Sequence, residues 1–449
     1  MNSPAASSGY LVLSFLRHFQ TRGLAYVYLR NHESLPDVLG NDVDLLIPRG
    51  TAPQALALIR QTARELGWKV VRQVKFSPLS VFLSPGQGDK ILHVDLFERL
   101  EWHFLPLAGP EKILAQRRWN GRVFVCDPAT EACLNLLTRL IYAGVVREKH
   151  RVQWVDVQNQ VGAPAMESIL ADWVGARIAA SLMSCLTRQD WPGVLRLHGR
   201  LRRVLLGRAV ASRPGETLRA ALAFLARGTE RLFRPPGPFL VLEGADGSGK
   251  SRAISALLPF LVRFTGKNNP VVFAWKPWPG HFRRPEHGSP TAPQNPRARP
   301  TRHPLRGIFY LGYHWVTLWL GHLFWLRPVR AMNRAVVADR FGYNVFADPQ
   351  RLRLRLPATL LWAAARLLPR PDLVFCLAAD PAVIHARKQE LSAQEIGTHQ
   401  ARLRELAGRD HRFVFLDAGL PPHDIDERIR QTILTWAEAS EAGRPGNNR

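Results

Sequence analysis

FLVLEGADGSGKS, residues 239–251, is an apolar run closed by Glu243, then a glycine-spaced turn ending in a lysine and a serine. The run Phe239 to Glu243 predicts a buried strand, and Ser251 to Val262 predicts a helix. Between them, Gly244-Ala245-Asp246-Gly247-Ser248-Gly249-Lys250-Ser251 fits the pattern G-x-x-x-x-G-K-[ST] in the strand-to-helix context that gives it meaning. Glycines let backbone N–H groups curl around phosphate oxygens, and the helix N-terminus adds partial positive charge. Lys250 is expected to reach the β- and γ-phosphates of ATP or GTP, and Ser251 to hold Mg²⁺. The plain alternative is a glycine-rich turn that holds no ligand.

Outward from this stretch, strand and helix alternate. Strands are expected at Val271 to Ala274, Ala335 to Ala338, Leu373 to Leu377 and Phe413 to Leu416. Helices are expected over most of Leu305 to Asn333, around 356–368 and from Pro381. Such βα alternation predicts an α/β domain over 236–449, a parallel sheet flanked by helices. Residues 281–304, rich in Pro, Arg and His, read as an inserted loop. The Arg234-Pro235-Pro236-Gly237-Pro238 run marks a linker ahead of the domain.

Two further motifs narrow the chemistry. Asp339-Arg340-Phe341 closes the short strand AVVA, which places a carboxylate at the carboxyl edge of the sheet, where such folds bind ligands. Asp339 there can orient a Mg²⁺ water shell, and Arg340 can grip an acceptor phosphate bidentately. Pro371-Asp372-Leu373 opens the next strand, followed by Asp380-Pro381 and a helix carrying Arg387, Lys388 and Glu390. A loop written EGADGSGKS, a DR-aromatic motif, and a PDL strand leading to a DP helix with basic residues together resemble thymidylate kinase over residues 236–449. The resemblance implies a P-loop nucleoside-monophosphate kinase fold, ATP and Mg²⁺, and a small phosphorylated acceptor. It further implies that 244–251 bind ATP and metal, that Asp246 contacts the acceptor sugar, and that Asp339 and Arg340 serve the metal shell and acceptor phosphate. Arg387 matches the basic segment whose arginine spreads transition-state charge; its plain alternative is a solvated helix charge. The departures concern the acceptor. Ala274-Trp275-Lys276-Pro277-Trp278 stands where that family has Arg-Glu-Pro-Gly, and Tyr313-His314-Trp315 where it has an Asp-Arg pair.

The amino-terminal part reads as mixed α/β. Helices are expected at Tyr10 to Gln20, capped by Ser8 and stopped by Gly23, and at Ala52 to Leu66. Strands are expected at Leu24 to Leu29, Asp42 to Ile47, Val70 to Val74, Ser80 to Leu83 and Ile91 to Phe97, with PGQGD as a turn. Asp42 and Asp44 alternate on one strand and so share a face, and Asp95 lies on another. Three such carboxylates can hold divalent metal for nucleotidyl transfer. The pattern resembles the nucleotidyltransferase superfamily over roughly residues 20–100, except that Leu29-Arg30-Asn31 replaces its Gly-Ser. The resemblance implies a metal role for Asp42, Asp44 and Asp95 toward a sugar, antibiotic or protein. The plain alternative is ordinary strand-end acids, and His93 reads as a packed strand residue.

Composition sets the frame. At roughly 150 residues per domain, 449 residues predict two or three. The expected organisation is a nucleotidyltransferase-like domain at 1–155, a basic helical connector at 156–235 and the α/β domain at 236–449. Hydrophobic residues at 46% exclude wholesale disorder. The net charge of +25 comes mostly from dispersed arginines, with Arg196, Arg200, Arg202, Arg203 and Arg208 close together in the connector. Without a basic block this reads as solvated faces, and nucleic acid is not an expected partner. The four cysteines, Cys126, Cys133, Cys185 and Cys376, are too scattered for a disulfide framework, which fits a reducing cytoplasm. No basic segment precedes the apolar residues near the N-terminus, so no signal peptide is read there. Ile308 to Leu326 carries no Asp, Glu, Lys or Arg and approaches the length of a bilayer span. Strands of one sheet flank it, so a buried or interface helix is the expectation. A homodimer contact and a membrane-surface contact stay open. A non-catalytic nucleotide-binding scaffold is the remaining alternative to the two enzyme readings.

Overall fold

The structure is a computed structural model describing residues 7–33, 35–37, 42–75, 78–86, 89–277, 282–283, 300–408 and 410–442. Its compact units divide within the helix Pro214–Phe233, between residues 227 and 228. Each is mixed α/β.

In the first unit the strands are β1 (Val27–Tyr28), β2 (Val43–Leu46), β3 (Lys69–Lys75), β4 (Leu79–Ser84), β5 (Leu92–Phe97), β6 (Leu100–Trp102), β7 (Leu105–Ala108), β8 (Arg118–Trp119) and β9 (Phe124–Val125). Seven form one sheet in the order β3-β4-β5-β2-β1-β9-β8, while β6 and β7 make a separate hairpin. β2 and β5 run parallel, with Asp44 directly beside Asp95. Tyr28, Val43 and Leu45 face one apolar cluster, with the helices Ser8–Thr21 and Ala52–Glu65. Val27 and Leu46 face the other, built from helices between Pro128 and Ser212. Period-two alternation therefore puts Asp44 on the second face.

Three expectations change. Ser7 caps the first helix instead of Ser8, its hydroxyl accepting from Tyr10 N at 3.2 Å. Only Val27–Tyr28 of the expected strand Leu24 to Leu29 pairs as one. The boundary expected at 155 falls inside the helix Glu148–Val161, whose Trp154 is fully buried in one core with Leu137, Leu170, Leu182 and Leu201. The segment expected as a connector is thus the second layer of this unit. Its arginines are partly structural: Arg202 donates twice to the Ile141 carbonyl, at 3.1 and 2.6 Å, and lies over the Trp102 ring. The PGQGD turn lies partly, and the 281–304 insertion mostly, outside the described residues, as does Trp278.

The second unit holds β10 (Phe239–Glu243), β11 (Val271–Ala274), β12 (Phe282–Arg283), β13 (Val336–Asp339), β14 (Leu373–Ala378) and β15 (Phe413–Asp417). Their order is β12-β11-β13-β10-β14-β15, all parallel except the edge strand β12. Phe239 and Val241 bury against one helical layer. Leu240 and Leu242 turn to the other face, where the helix Lys250–Thr265 packs on β10 and β13. Both faces are covered, as a parallel sheet requires. The chain leaves β10 to one side and returns to place β14 on the other, so the topological switch lies at the carboxyl end of β10.

The apolar stretch read at Ile308 to Leu326 becomes the helix Pro304–Gly321, a wider π turn at His322–Leu326 and the short helix Arg327–Ala331. Leu311, His314 and Leu318 are buried, while Phe309 and Phe324 are 79% and 67% exposed. No helix among the described residues is long and apolar enough to cross a membrane.

Trp154→Ala is expected to lower the unfolding free energy of the first unit by about 3–5 kcal/mol, the usual cost of emptying a buried aromatic site. Denaturant titration followed by circular dichroism measures it, and a loss under about 1 kcal/mol would remove this helix from the core.

Candidate active site

At the end of β10 the chain turns through Gly244, with φ +144°, and Gly247, with φ +90°. A side chain at Gly244 would fall 2.6 Å from the Leu377 carbonyl oxygen of β14, and one at Gly247 would fall 3.0 Å from Lys388 Cβ. Glycine is required at both for conformation and for room. Ala245 is anchored among Ile384, Leu391 and Ile396. The loop is therefore held between the carboxyl ends of two strands and the segment after β14.

Lys250 opens the following helix but sends its side chain back into the loop. Its Nζ donates to the carbonyls of Gly244, at 2.9 Å, and Ala245, at 2.6 Å, and reaches Ser248 Oγ at 3.3 Å. Burial, with Arg340 nearby, lowers its pKa to about 7. Ser248 is buried and Ser251 exposed at the first helical turn. Asp339 closes β13, beside Leu242 in register, and is buried. A hydroxyl and a carboxylate form an all-oxygen donor set of the kind Mg²⁺ prefers, so Ser251 and Asp339 fit that ion.

Asp246 lies between two guanidinium groups. Arg340 Nη2 meets Oδ1 at 2.5 Å and Arg351 Nη1 meets Oδ2 at 2.7 Å. Burial alone would raise the Asp246 pKa, but Arg340 and then Arg351 hold it well below the usual carboxylate range. Both cations also lie over the Trp275 ring, at 5.7 and 4.7 Å from its centre. Trp275 and Arg340 adopt left-handed backbone, with φ of +68° and +66°. Non-glycine residues rarely do so, and such strain gathers at functional positions. Lys276 lies 4.9 Å above the Tyr313 ring.

Behind this row, Glu243 is completely buried and accepts from Phe341 N at 2.8 Å and Asn344 Nδ2 at 3.2 Å. Burial pushes its pKa up to about 7 against the lowering effect of the Phe341 bond. Arg387, expected beside the phosphates, instead donates to the Ala418 carbonyl at 2.9 Å. The residue packed on Gly247 is Lys388, paired with Glu390 at 2.8 Å. Arg351, Glu243 and Lys388 were not singled out in sequence as parts of the site. Lys388 left a trace there as the neighbour of Arg387, and Glu243 as the residue that closes the apolar run, while Arg351 left none.

The first unit gathers its own polar cluster. His93 Nδ1 lies 2.7 Å from Asp42 Oδ1, and Nε2 lies 3.0 Å from Asp95 Oδ1. Ser80 Oγ donates to Asp95 at 2.5 Å. Arg30 Nε meets Asp44 Oδ2 at 2.5 Å, while Asp44 Oδ1 is buried without a hydrogen-bond partner. Burial raises the Asp44 pKa although Arg30 opposes it. The His93 ring stacks on Phe82 at 4.4 Å. Burial would depress its pKa, but Asp42 and Asp95 raise it to about 9. Arg30 thus sits where the nucleotidyltransferase pattern has small residues. His32, Glu33 and Glu131 also bring ligand atoms within 4.8 Å of one another. Their distance apart in sequence left no motif to read.

No family model matches the chain. No curated protein matches it either. Among solved structures it is similar to a thymidylate kinase from Ehrlichia chaffeensis, at 18% identity and a TM-score of 0.30, over 44% of this chain and 99% of that one.

His93, with its pKa raised, contributes stability that is present below about pH 6.5 and is lost as pH rises through about 9. NMR titration of the His93 imidazole should show a midpoint near 9. In Asp42→Asn with Asp95→Asn the midpoint should fall below 6.5, because only the burial penalty is left. A wild-type midpoint near 6.5 would show that the two ion pairs do not form.

Proposed function

We propose that the second unit is an ATP- and Mg²⁺-dependent phosphotransferase that moves the γ-phosphoryl group of ATP to a small phosphorylated acceptor of the nucleoside monophosphate class, dTMP or a relative. The observation that carries this reading is the row of charges along the carboxyl ends of β10 and β13. A buried lysine is folded into a glycine loop, and beside it two arginines are held on one carboxylate over an aromatic ring. In this reading the loop amides of 244–251 take the nucleotide phosphates, and Lys250 exchanges its carbonyl bonds for phosphate oxygens. Ser251 and Asp339 hold the metal, which neutralises phosphate charge. Arg340 and Arg351 take the acceptor phosphate; Asp246 fixes their spacing and stays ionised. Catalysis by this set is alignment for in-line attack together with charge neutralisation. Lys388, against Gly247, supplies the cation that the sequence pattern assigned to Arg387.

Lys250→Ala is expected to lower kcat by on the order of 10²–10³ in a coupled ATP assay, with acceptors screened as nucleoside monophosphates and sugar phosphates. An unchanged rate removes Lys250 from the mechanism, and no heat with ATP and Mg²⁺ in calorimetry removes the reading altogether. The pH dependence follows from the lysine. Phosphate binding charges a group whose pKa is about 7. Binding above that pH must therefore take up a proton, and binding well below it takes up none. Calorimetry at pH 8.5 in buffers of different ionisation enthalpy should give an uptake approaching one proton (about 0.9), and Lys250→Arg should abolish it.

A second reading for the first unit rests on the unpartnered Asp44 Oδ1 beside Asp95. A divalent ion held by Asp42, Asp44 and Asp95 would satisfy it, with nucleotidyl transfer to a sugar, antibiotic or protein as the chemistry. Asp44→Asn and Asp95→Asn should then abolish transfer while leaving the phosphotransferase intact; full transfer by both variants overturns this reading.

A further inference from the structure

A cavity of about 470 Å³ opens in the second unit, away from the loop 244–251. Its walls come from the segments that lead into β10, β13 and β14, which places it at the amino ends of the parallel strands. Ligands of such sheets ordinarily collect at the carboxyl ends, so the cavity is no extension of the site above. Its size is that of a small-molecule pocket.

Four arginines line it: Arg327, Arg330, Arg366 and Arg370. Arg330 is already satisfied, by Asp372 at 2.8 Å and the Gly237 carbonyl at 2.7 Å. The other three have no carboxylate partner among the described residues. Arg327 Nε is buried without a hydrogen-bond partner, and so is Nδ1 of His322, a residue only 6% exposed. Both stand at the π turn His322–Leu326, where the helix is wound one residue wider than its neighbours. Such turns concentrate at functional positions. The cavity also has an apolar side. Trp319 is fixed by a bond from Nε1 to the Leu367 carbonyl at 3.0 Å, and Leu367 and Phe233 are 62% and 73% exposed. Burial, with smaller contributions from Arg330 and Arg327, lowers the His322 pKa to about 4.

We infer that this cavity is a second binding site, for an organic phosphate: the phosphate lies on Arg327, Arg366, Arg370 and His322, and a planar or apolar body lies against Trp319 and Leu367. Arg327 and Arg370, with Arg366, whose Nη1 also reaches the Leu406 carbonyl at 3.3 Å, are guanidinium groups without a carboxylate partner among the described residues. With a buried imidazole nitrogen they supply donors to phosphate oxygens, and the ring and leucine cover what the phosphate is attached to. The inference is independent of the role given to Lys250. The same phosphate chemistry belongs to a soluble nucleotide and to a phospholipid headgroup.

The test follows the His322 imidazole by NMR in the full-length protein, its signal assigned by loss in His322→Asn. Three probes are added in turn: inorganic phosphate, a nucleoside monophosphate, and phosphatidylcholine vesicles containing phosphatidic acid. The expected result is a saturable shift with the nucleotide or the vesicles, whichever source is used, at lower concentration than with inorganic phosphate. Arg327→Gln with Arg370→Gln should weaken it at least tenfold, and Arg370→Gln alone, at an exposed position, should already weaken it severalfold while leaving the circular dichroism unchanged. An unmoved His322 signal with all probes overturns the site, as does an affinity unaffected by Arg370→Gln. Equal affinity for inorganic phosphate overturns the organic body.

Discussion

A carboxylate sealed from water organises the second unit. Glu243 ends the central strand and accepts from the backbone and side chain of the segment that follows β13. Leaving a buried carboxylate unsatisfied costs several kcal/mol, so these bonds are close to obligatory. They fix where the chain can go after Asp339, and with it the position of Arg340, whose own N–H donates to the Leu242 carbonyl at 3.0 Å. The glycine loop departs from the same carboxylate in the other direction. One buried side chain thereby sets the distance between the glycine loop and the arginine row.

What the sequence revealed depends on how local the physics is. The loop 244–251 was legible because a tight strand-to-helix turn demands glycines at set positions within one short stretch. Asp42 and Asp44 were legible because alternate positions of an extended run share a face, although the paired strand begins only at Val43, and Asp95 joins Asp44 through parallel register. Arg351 was not, since it meets Asp246 across 105 residues and no spacing rule links them. Arg387 and Lys388 differ by one position. The helix stops at Arg387 and Lys388 is extended, so the side chain beside Gly247 belongs to the residue after the one expected. Arg30 and His93 escaped because pairing with buried acids changes what a histidine or arginine does without changing the strand pattern.

The basic segment after residue 155 shows the limit of composition. Its arginines suggested a solvated connector, yet its apolar positions interlock with the helix Pro128–Ala143, and Arg202 lies over the Trp102 ring. Arginine can cover hydrocarbon with its stem while its head stays hydrogen-bonded, so a high arginine count does not by itself mark an exposed surface.

The helix after the insertion and the π turn that follows it leave Phe309, Tyr313 and Phe324 exposed, on a chain of net charge +25. In dilute buffer, mutual repulsion between molecules outranges the attraction between these rings, because the Debye length is about 30 Å at 0.01 M ionic strength. Added salt shortens that range to about 3 Å at 1 M and leaves the ring attraction untouched. The colloidal behaviour of this molecule should therefore invert the usual advice for basic proteins: it disperses best with little salt, and crowding it in brine brings the aromatic faces together.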